Sequence, residues 1–170
     1  MLLDRDGIIN IDRGYVSRPE EFEFVPGALD FLRAAQARGF LLVVVTNQSG
    51  IARGYFTQQQ YAEFEEYMRT RLSAEGIRLA AVYVCPHHPD GAVPELAIDC
   101  ECRKPKPGLI HYAERDLGLD LAQSILVGDK ETDIQAAKLA GVGRAFLVGQ
   151  KAGELDYNAF AVPLANILCS

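Results

Sequence analysis

Short apolar runs that end in polar loops recur along this chain. "LLVVVTNQSG" is a β-branched run that breaks into polar residues and a glycine, which predicts a buried strand from Leu41 to Thr46. Segments 80–86 ("AAVYVCP"), 123–129 ("QSILVGD") and 144–149 ("RAFLVG") have the same form. With the N-terminal "MLL" counted as the first, the pattern predicts five strands.

Helical periodicity fills the segments between these runs. Thr57 is a candidate N-cap, and Gly141 is a candidate C-cap. The patterns lie in "PGALDFLRAAQARG", "TQQQYAEFEEYMRTRLSAEG", "KPGLIHYAERDLGL" and "KETDIQAAKLAG", with apolar stripes such as Leu29, Phe31, Leu32, Ala35 and Tyr61, Phe64, Met68, Leu72. Strands that alternate with helices of this length need crossover connections. We therefore predict a single α/β domain over residues 1–170, built on a doubly wound parallel sheet.

One stretch, from about Pro86 to Pro107, has no periodicity. A structureless segment of that length inside one domain needs a physical reason. Cys85-Pro86-His87 stands at its start, and Cys100-Glu101-Cys102 follows after twelve intervening residues. Two ligand pairs at this spacing suit a tetrahedral Cys₃His zinc site, with Cys85, His87, Cys100 and Cys102 as ligands. His88 is the rival ligand, and Cys169 has no expected site role.

Four protein ligands would leave no open coordination position on the metal. We therefore predict a structural zinc ion that orders residues 85–107 by cross-linking them. Clustered cysteines in a chain without a secretory signal favour this metal site over disulfides.

Composition narrows the classes of function. The formal net charge is −6, and no basic block offsets it, which argues against nucleic-acid binding. The longest apolar run, "FLLVVV" at 40–45, is too short to span a bilayer. We expect a cytoplasmic protein, a monomer, with a small-molecule partner and no membrane association.

Charged and hydroxyl side chains gather at the predicted carboxyl ends of the strands. In an open parallel sheet these ends form one edge, where ligands bind. Carboxylates there can attack phosphorus, transfer protons and hold a divalent cation, while hydroxyl and ammonium groups stabilise the transferring phosphoryl group. The residues are Asp4, Asp6, Thr46, Asn47, Gln48, Ser49, Arg103, Lys104, Asp129, Lys130 and Asp133.

Four motifs resemble those of the haloacid dehalogenase superfamily of phosphohydrolases, in the same order: "LDRDG", "VTNQSG", "RKPKP" and "VGDKETD". Three longer segments are similar to its heptose-bisphosphate phosphatases: "DRDGIINIDRGYV", "TNQSGIARGYF" and "CPHH…CECRKPKPG". The resemblance implies a Rossmann-like fold without a separate cap domain. It also implies magnesium-dependent removal of the 7-phosphate from a heptose 1,7-bisphosphate, in the synthesis of nucleotide-activated heptose.

The resemblance assigns roles to individual residues. Asp4 matches the nucleophile, whose second oxygen also binds magnesium, and Asp6 matches the general acid/base, with its backbone carbonyl as a further magnesium ligand. Thr46 and Lys104 match the groups that hold the transferring phosphoryl. Asp129 matches a magnesium ligand, with Asp133 in support. The expected substrate-binding residues are Asp12, Arg13, Gly14, Tyr15, Asn47, Gln48, Ser49, Arg103 and Lys130.

Other interpretations stay open at this point. A histidinol-phosphate phosphatase carries a similar zinc loop, a phosphotransferase would share the aspartyl intermediate, and a zinc-stabilised binding module could have lost catalysis. Asp12 and Arg13 could form a solvated turn, and Asp133 could be mainly a helix cap. Only Met1 to Leu3 precede Asp4, so the first strand is short, or the native chain begins upstream.

Overall fold

A five-stranded parallel sheet forms the centre of the molecule. The computed structural model describes residues 1–148. Strands β1 to β5 span Leu2–Leu3, Leu42–Asn47, Leu79–Cys85, Ile125–Gly128 and Arg144–Leu147, in the spatial order β3-β2-β1-β4-β5. Every neighbouring pair is parallel, so the predicted parallel sheet is confirmed. Gly149, the predicted end of the fifth strand, Cys169 and the rest of segment 149–170 of the predicted domain lie outside the described residues.

Four helices connect the strands. They are α1 (Ala28–Ala37), α2 (Gln58–Ala74), α3 (Gly108–Leu117) and α4 (Glu131–Ala140). The Thr57 side chain accepts a hydrogen bond from the Gln60 backbone N–H, which confirms the predicted N-cap of α2. Gly141 closes α4 in the left-handed conformation, with φ 77°, as predicted for a C-cap.

Both faces of the sheet are covered by helices. Leu3, Val44 and Val127 point to the face on which α1 and α2 pack, whereas Leu2 points to the face of α3 and α4. Because side chains alternate along a strand, each strand supplies both cores. The sheet is therefore doubly wound, and within residues 1–148 no separate cap domain covers its carboxyl edge.

The central strand is only two residues long. Leu2 pairs with Val43 on one side and Leu126 on the other, and its side chain is fully buried. Two further backbone hydrogen bonds, Asp4 N–H to Val127 and Val43 N–H to Met1, extend the pairing past both ends of the strand. Asp4 is thus fixed by the sheet itself.

The predicted aperiodic stretch after β3 is irregular. Within this stretch, residues Pro94–Leu96 form a single 3₁₀ turn. Among the described residues, no helix is both long and apolar enough to cross a membrane.

Candidate active site and metal cluster

Three carboxylates meet at the carboxyl edge of the sheet. Asp4 follows β1, Asp129 follows β4, and Asp133 lies in the first turn of α4. Their ligand oxygens lie within 4.8 Å of one another, and Asp4 is only 5% exposed. Burial raises the pKa of Asp4, and it raises that of Asp129 to about 7, with like charges adding to both shifts. The cluster of three carboxylates is therefore stabilised by a nearby positive charge.

Two glycines make this convergence possible. A Cβ on Gly7 would lie 2.4 Å from Asp129 Oδ2, and one on Gly128 would lie 2.4 Å from Asp133 Cβ. Gly7 also has φ +81°, a conformation that other residues rarely adopt. Glycine at these positions lets the backbone approach the carboxylates closely.

Lys104 provides the buried positive charge. Its Nζ lies 3.0 Å from Asp4 Oδ1 and 2.6 Å from Asp133 Oδ1, and it donates to the Val45 carbonyl at 2.7 Å. Burial alone would lower the pKa of Lys104, but Asp4 and Asp133 raise it above its ordinary value. The ammonium in turn favours the ionised form of Asp4.

These residues suit a divalent cation. Three carboxylates face one buried ammonium, which leaves an excess of negative charge in a desolvated position. Asp129 Oδ1 is buried without a hydrogen-bond donor, and the nearest ammonium, Lys130 Nζ, is 4.0 Å away. Hard carboxylate oxygens in this arrangement are the ligands that Mg²⁺ prefers. Asp4, Asp129 and Asp133 could hold such an ion.

Asp6 is held differently from the other acids, because Arg5 binds it. Arg5 Nη2 donates to both Asp6 oxygens, at 2.7 and 2.8 Å, and to the Val16 carbonyl at 2.7 Å. The guanidinium is fully buried, 4.8 Å from the ring centroid of Phe64. Burial alone would raise the pKa of Asp6, but Arg5 brings it below its ordinary value. Asp6 is therefore ionised in the free site.

The polar residues at the end of β2 and directly after it lie at the same edge. Gln48 Nε2 donates to Asp6 Oδ2 and to Thr46 Oγ1, both at 2.9 Å. The Asn47 side chain donates to the Lys104 carbonyl and accepts from the Lys104 N–H. Asn47 therefore fixes the backbone that carries the buried ammonium.

A cavity of about 440 Å³ lies at this edge of the sheet, with Asp6 and Lys104 in its lining. Lys130 Nζ bridges across its rim to Asp12 Oδ2 at 3.1 Å. Arg13 is an exception among the predicted substrate-binding residues, since it pairs at the surface with Glu23. The lining consists of Asp6, Asp12, Gly14, Tyr15, Asn47, Gln48, Ser49, Arg103, Lys104, Lys130 and Thr132.

The four predicted zinc ligands converge at the end of β3. The Sγ atom of Cys100 lies 3.5 Å from that of Cys85 and 3.2 Å from that of Cys102. His87 Nδ1 is 3.8 and 3.4 Å from the Sγ atoms of Cys85 and Cys102. Tetrahedral zinc with Zn–S bonds of about 2.3 Å requires ligand separations of roughly 3.7 Å, so the cluster fits this ion.

His88 lies outside this cluster. Its Nδ1 accepts from the Asp90 N–H at 3.1 Å, and its ring lies beside the Arg53 guanidinium. Burial, followed by the charges of Arg103 and Arg53, lowers the pKa of His88. The structure thus places His87, not His88, among the cysteines.

Sequence reasoning missed Arg5, Asn10 and Thr132. Asn10 Nδ2 donates to Asp6 Oδ1 at 2.9 Å, and Thr132 lines the cavity. Of these three residues, only Arg5 could have been predicted to be buried. Side chains alternate along a strand, so Arg5 lies on the same side as the buried Leu3. Nothing local predicts that Asn10 folds back onto Asp6.

The carboxyl edge of this doubly wound sheet presents buried carboxylates, a buried ammonium and a polar cavity. This combination defines the class of metal-assisted phosphoryl-transfer enzymes.

Comparisons with known proteins agree with this class. The HAD-hydrolase-like family matches residues 101–159. The D-glycero-beta-D-manno-heptose-1,7-bisphosphate 7-phosphatase of Yersinia pestis is 49% identical over 148 residues, 87% of this chain and 79% of that protein.

Similar crystal structures include the following two. One is a HAD-like phosphatase from Mesorhizobium loti, with TM-score 0.87 and 40% identity over 99% of this chain and 85% of that one. The other is the D,D-heptose 1,7-bisphosphate phosphatase of B. bronchiseptica with magnesium and phosphate, with TM-score 0.75 and 36% identity over 85% of this chain and 77% of that one. The chain therefore belongs to the heptose-1,7-bisphosphate 7-phosphatase family of haloacid dehalogenase-like hydrolases.

Proposed function

We propose that this protein removes the 7-phosphate of D-glycero-D-manno-heptose 1,7-bisphosphate through an aspartyl-phosphate on Asp4. The observation that carries the proposal is the buried contact of Lys104 with Asp4 and Asp133, beside a cavity large enough for a sugar phosphate. The similarity to the Yersinia pestis enzyme supports the choice of substrate.

Asp4 is the nucleophile in this proposal. One carboxylate oxygen attacks phosphorus, and the bond from phosphorus to the 7-oxygen of the sugar breaks. Lys104 opposes the effect of burial on Asp4 by favouring its ionised form and, with the Thr46 hydroxyl, stabilises the charge on the phosphoryl oxygens. Magnesium bound by Asp4, the Asp6 carbonyl and Asp129, with Asp133 in support, would neutralise charge between nucleophile and substrate.

Asp6 is the general acid/base. It must give a proton to the departing 7-oxygen and then take one from the water that attacks the aspartyl-phosphate. In the free site the Arg5 contact holds Asp6 as a carboxylate. An incoming phosphate brings negative charge close to Asp6, which raises its pKa and favours protonation. Arg5 meanwhile keeps both oxygens in a fixed orientation.

The open side of the cavity would hold the rest of the substrate. Arg103 and Lys130 supply positive charge at the rim, and Tyr15 supplies an aromatic face. Asp12, Gly14, Gln48 and Ser49 add polar groups suited to sugar hydroxyls. Arg13 would act from the surface, at the margin of the site.

We propose that zinc at Cys85, His87, Cys100 and Cys102 is structural. Their donor atoms are close enough to complete a four-coordinate shell without water. Arg103 follows Cys102 directly, so the bound metal would fix the position of the Arg103 backbone.

The product of the reaction would serve the synthesis of nucleotide-activated heptose for lipopolysaccharide. In this proposal the protein acts in the cytoplasm, as a monomer.

A substrate panel tests the function. The purified protein is assayed with magnesium against both anomers of the heptose 1,7-bisphosphate, heptose 7-phosphate and histidinol phosphate. We expect kcat/KM to be highest for one of the bisphosphate anomers, with activity lost when magnesium is chelated. A preference for histidinol phosphate, or no hydrolysis at all, would contradict the proposal.

A further inference from the structure

The 86–107 loop is docked on the segment that follows β2. The Ala52 N–H donates to the Pro86 carbonyl at 3.2 Å, and the Val93 N–H donates to the Ala52 carbonyl at 2.9 Å. A Cβ on Gly91 would lie 2.9 Å from that carbonyl, so the two segments are in close contact. Arg103, which lines the cavity, belongs to the same loop.

Arg53 is the charged side chain at this junction. One guanidinium nitrogen, Nη2, lies 3.0 Å from His88 Nε2 and 3.5 Å from His88 Nδ1. A hydrogen bond in the ring plane would bring it close to one nitrogen and far from the other. Because both ring nitrogens lie within 3.5 Å, Nη2 is placed over the ring rather than along the lone pair of one nitrogen, and a cation there is attracted to the aromatic face.

The other contacts of His88 agree with a stacked arrangement. Its Nδ1 accepts from the Asp90 N–H at 3.1 Å, its backbone N–H donates to the Leu96 carbonyl, and its carbonyl accepts from the Gly91 N–H. The ring is therefore fixed from its own loop. Arg53 contacts this ring from the segment that follows β2.

Arg53 has no stronger partner in residues 1–148. No carboxylate there forms an ion pair with it, and its Nε is buried without a hydrogen-bond acceptor. It also does not line the cavity, whereas Arg103, which donates to the His87 carbonyl at 3.3 Å, does. The Arg53 side chain thus contacts the 86–107 loop and does not face the cavity.

We propose that Arg53 is a positioning residue. By stacking on His88 it holds the metal-binding loop against the segment after β2, and so places Arg103 for the part of the substrate remote from the transferred phosphoryl. The proposal deepens the function proposed above, and for its kinetic consequences it rests on that function.

Kinetics of the zinc-loaded full chain test the proposal. Arg53→Ala and His88→Ala are compared with His88→Phe, which keeps an aromatic face without ring nitrogens. We expect both alanine variants to raise KM for the heptose bisphosphate by about tenfold, with kcat and the hydrolysis of p-nitrophenyl phosphate unchanged. His88→Phe should restore most of the affinity, and the double alanine variant should be no worse than either single one. Arg38→Ala, which removes an exposed arginine directly after the end of α1, is the control.

A measurement without substrate separates this proposal from the proposed function. Hydrogen exchange of the Gly91 and Val93 amides should accelerate in both alanine variants but not in His88→Phe, while zinc content stays the same. Equal losses in His88→Phe and His88→Ala, or an unchanged KM and exchange rate in Arg53→Ala, would overturn the role of Arg53. Failure of the wild-type protein to hydrolyse the bisphosphate would overturn only the proposed function.

Discussion

At the residue scale, Arg5 orients Asp6, a role that its position in the sequence does not indicate. In "DRDG" the two aspartates are the evident candidates for chemistry, and the motif resemblance is sufficient to predict them. The arginine between them reads as a solvated charge, yet its side chain is fully buried and binds both oxygens of Asp6. Its partners, Val16 and Phe64, are distant in sequence, so only the tertiary structure reveals the role.

Gly7 supports a prediction at the same scale. Gly7→Ala should strain a positive φ and also displace Asp129, whose Oδ2 occupies the position of the new Cβ. Gly39 is a matched control, because it has a similar φ of +85° but no neighbour within 4 Å. In urea titrations, φ strain should lower the unfolding free energy of both variants by about 1 kcal/mol. Gly7→Ala should lose more than Gly39→Ala, because Asp129 must also move.

The two alanine variants should differ in their magnesium requirement. In Gly7→Ala the concentration of magnesium for half-maximal activity should rise by about tenfold or more, because a metal ligand has moved. In Gly39→Ala it should not change. Equal magnesium curves for the two variants would contradict the placement of the metal.

At the scale of elements, the strands and helices were predicted with small errors in their ends. The predicted strand Leu41–Thr46 is Leu42–Asn47 in the structure, because Asn47 still continues the ladder beside Cys85. The irregular loop could be predicted only as irregular. Its path depends on contacts such as Ala52 with Val93, which no local pattern specifies.

Zinc removal tests the 85–107 element. We expect one zinc ion per chain by elemental analysis, with loss of binding in Cys100→Ser. Removal of the metal should lower the free energy of unfolding by about 3 kcal/mol, comparable to opening a cross-linked loop of this length. It should also raise KM for the bisphosphate more than it lowers kcat, because Arg103 loses its anchor. A metal-free protein with unchanged stability would contradict the structural role.

At the scale of the whole molecule, one edge of the sheet gathers residues from four separate segments. The order of the sheet places β1 between β2 and β4, so Asp4 stands between the Thr46 and Asp129 segments. That convergence was predictable from the topology of parallel sheets. The contact of Lys104 with both Asp4 and Asp133 was not, since it depends on how the loop before α3 returns to the edge.

Direct detection of the covalent intermediate tests the mechanism most sharply. Asp6→Asn removes the base that activates water, while p-nitrophenyl phosphate has a leaving group that needs no proton donor. Acid quenching and peptide mass spectrometry of this variant should show one added phosphoryl group on Asp4, labile to hydroxylamine. The double variant with Asp4→Asn should show none. A phosphoryl group on another residue, or none in Asp6→Asn while p-nitrophenol is released in a stoichiometric burst, would contradict the assignment of Asp4 as the nucleophile.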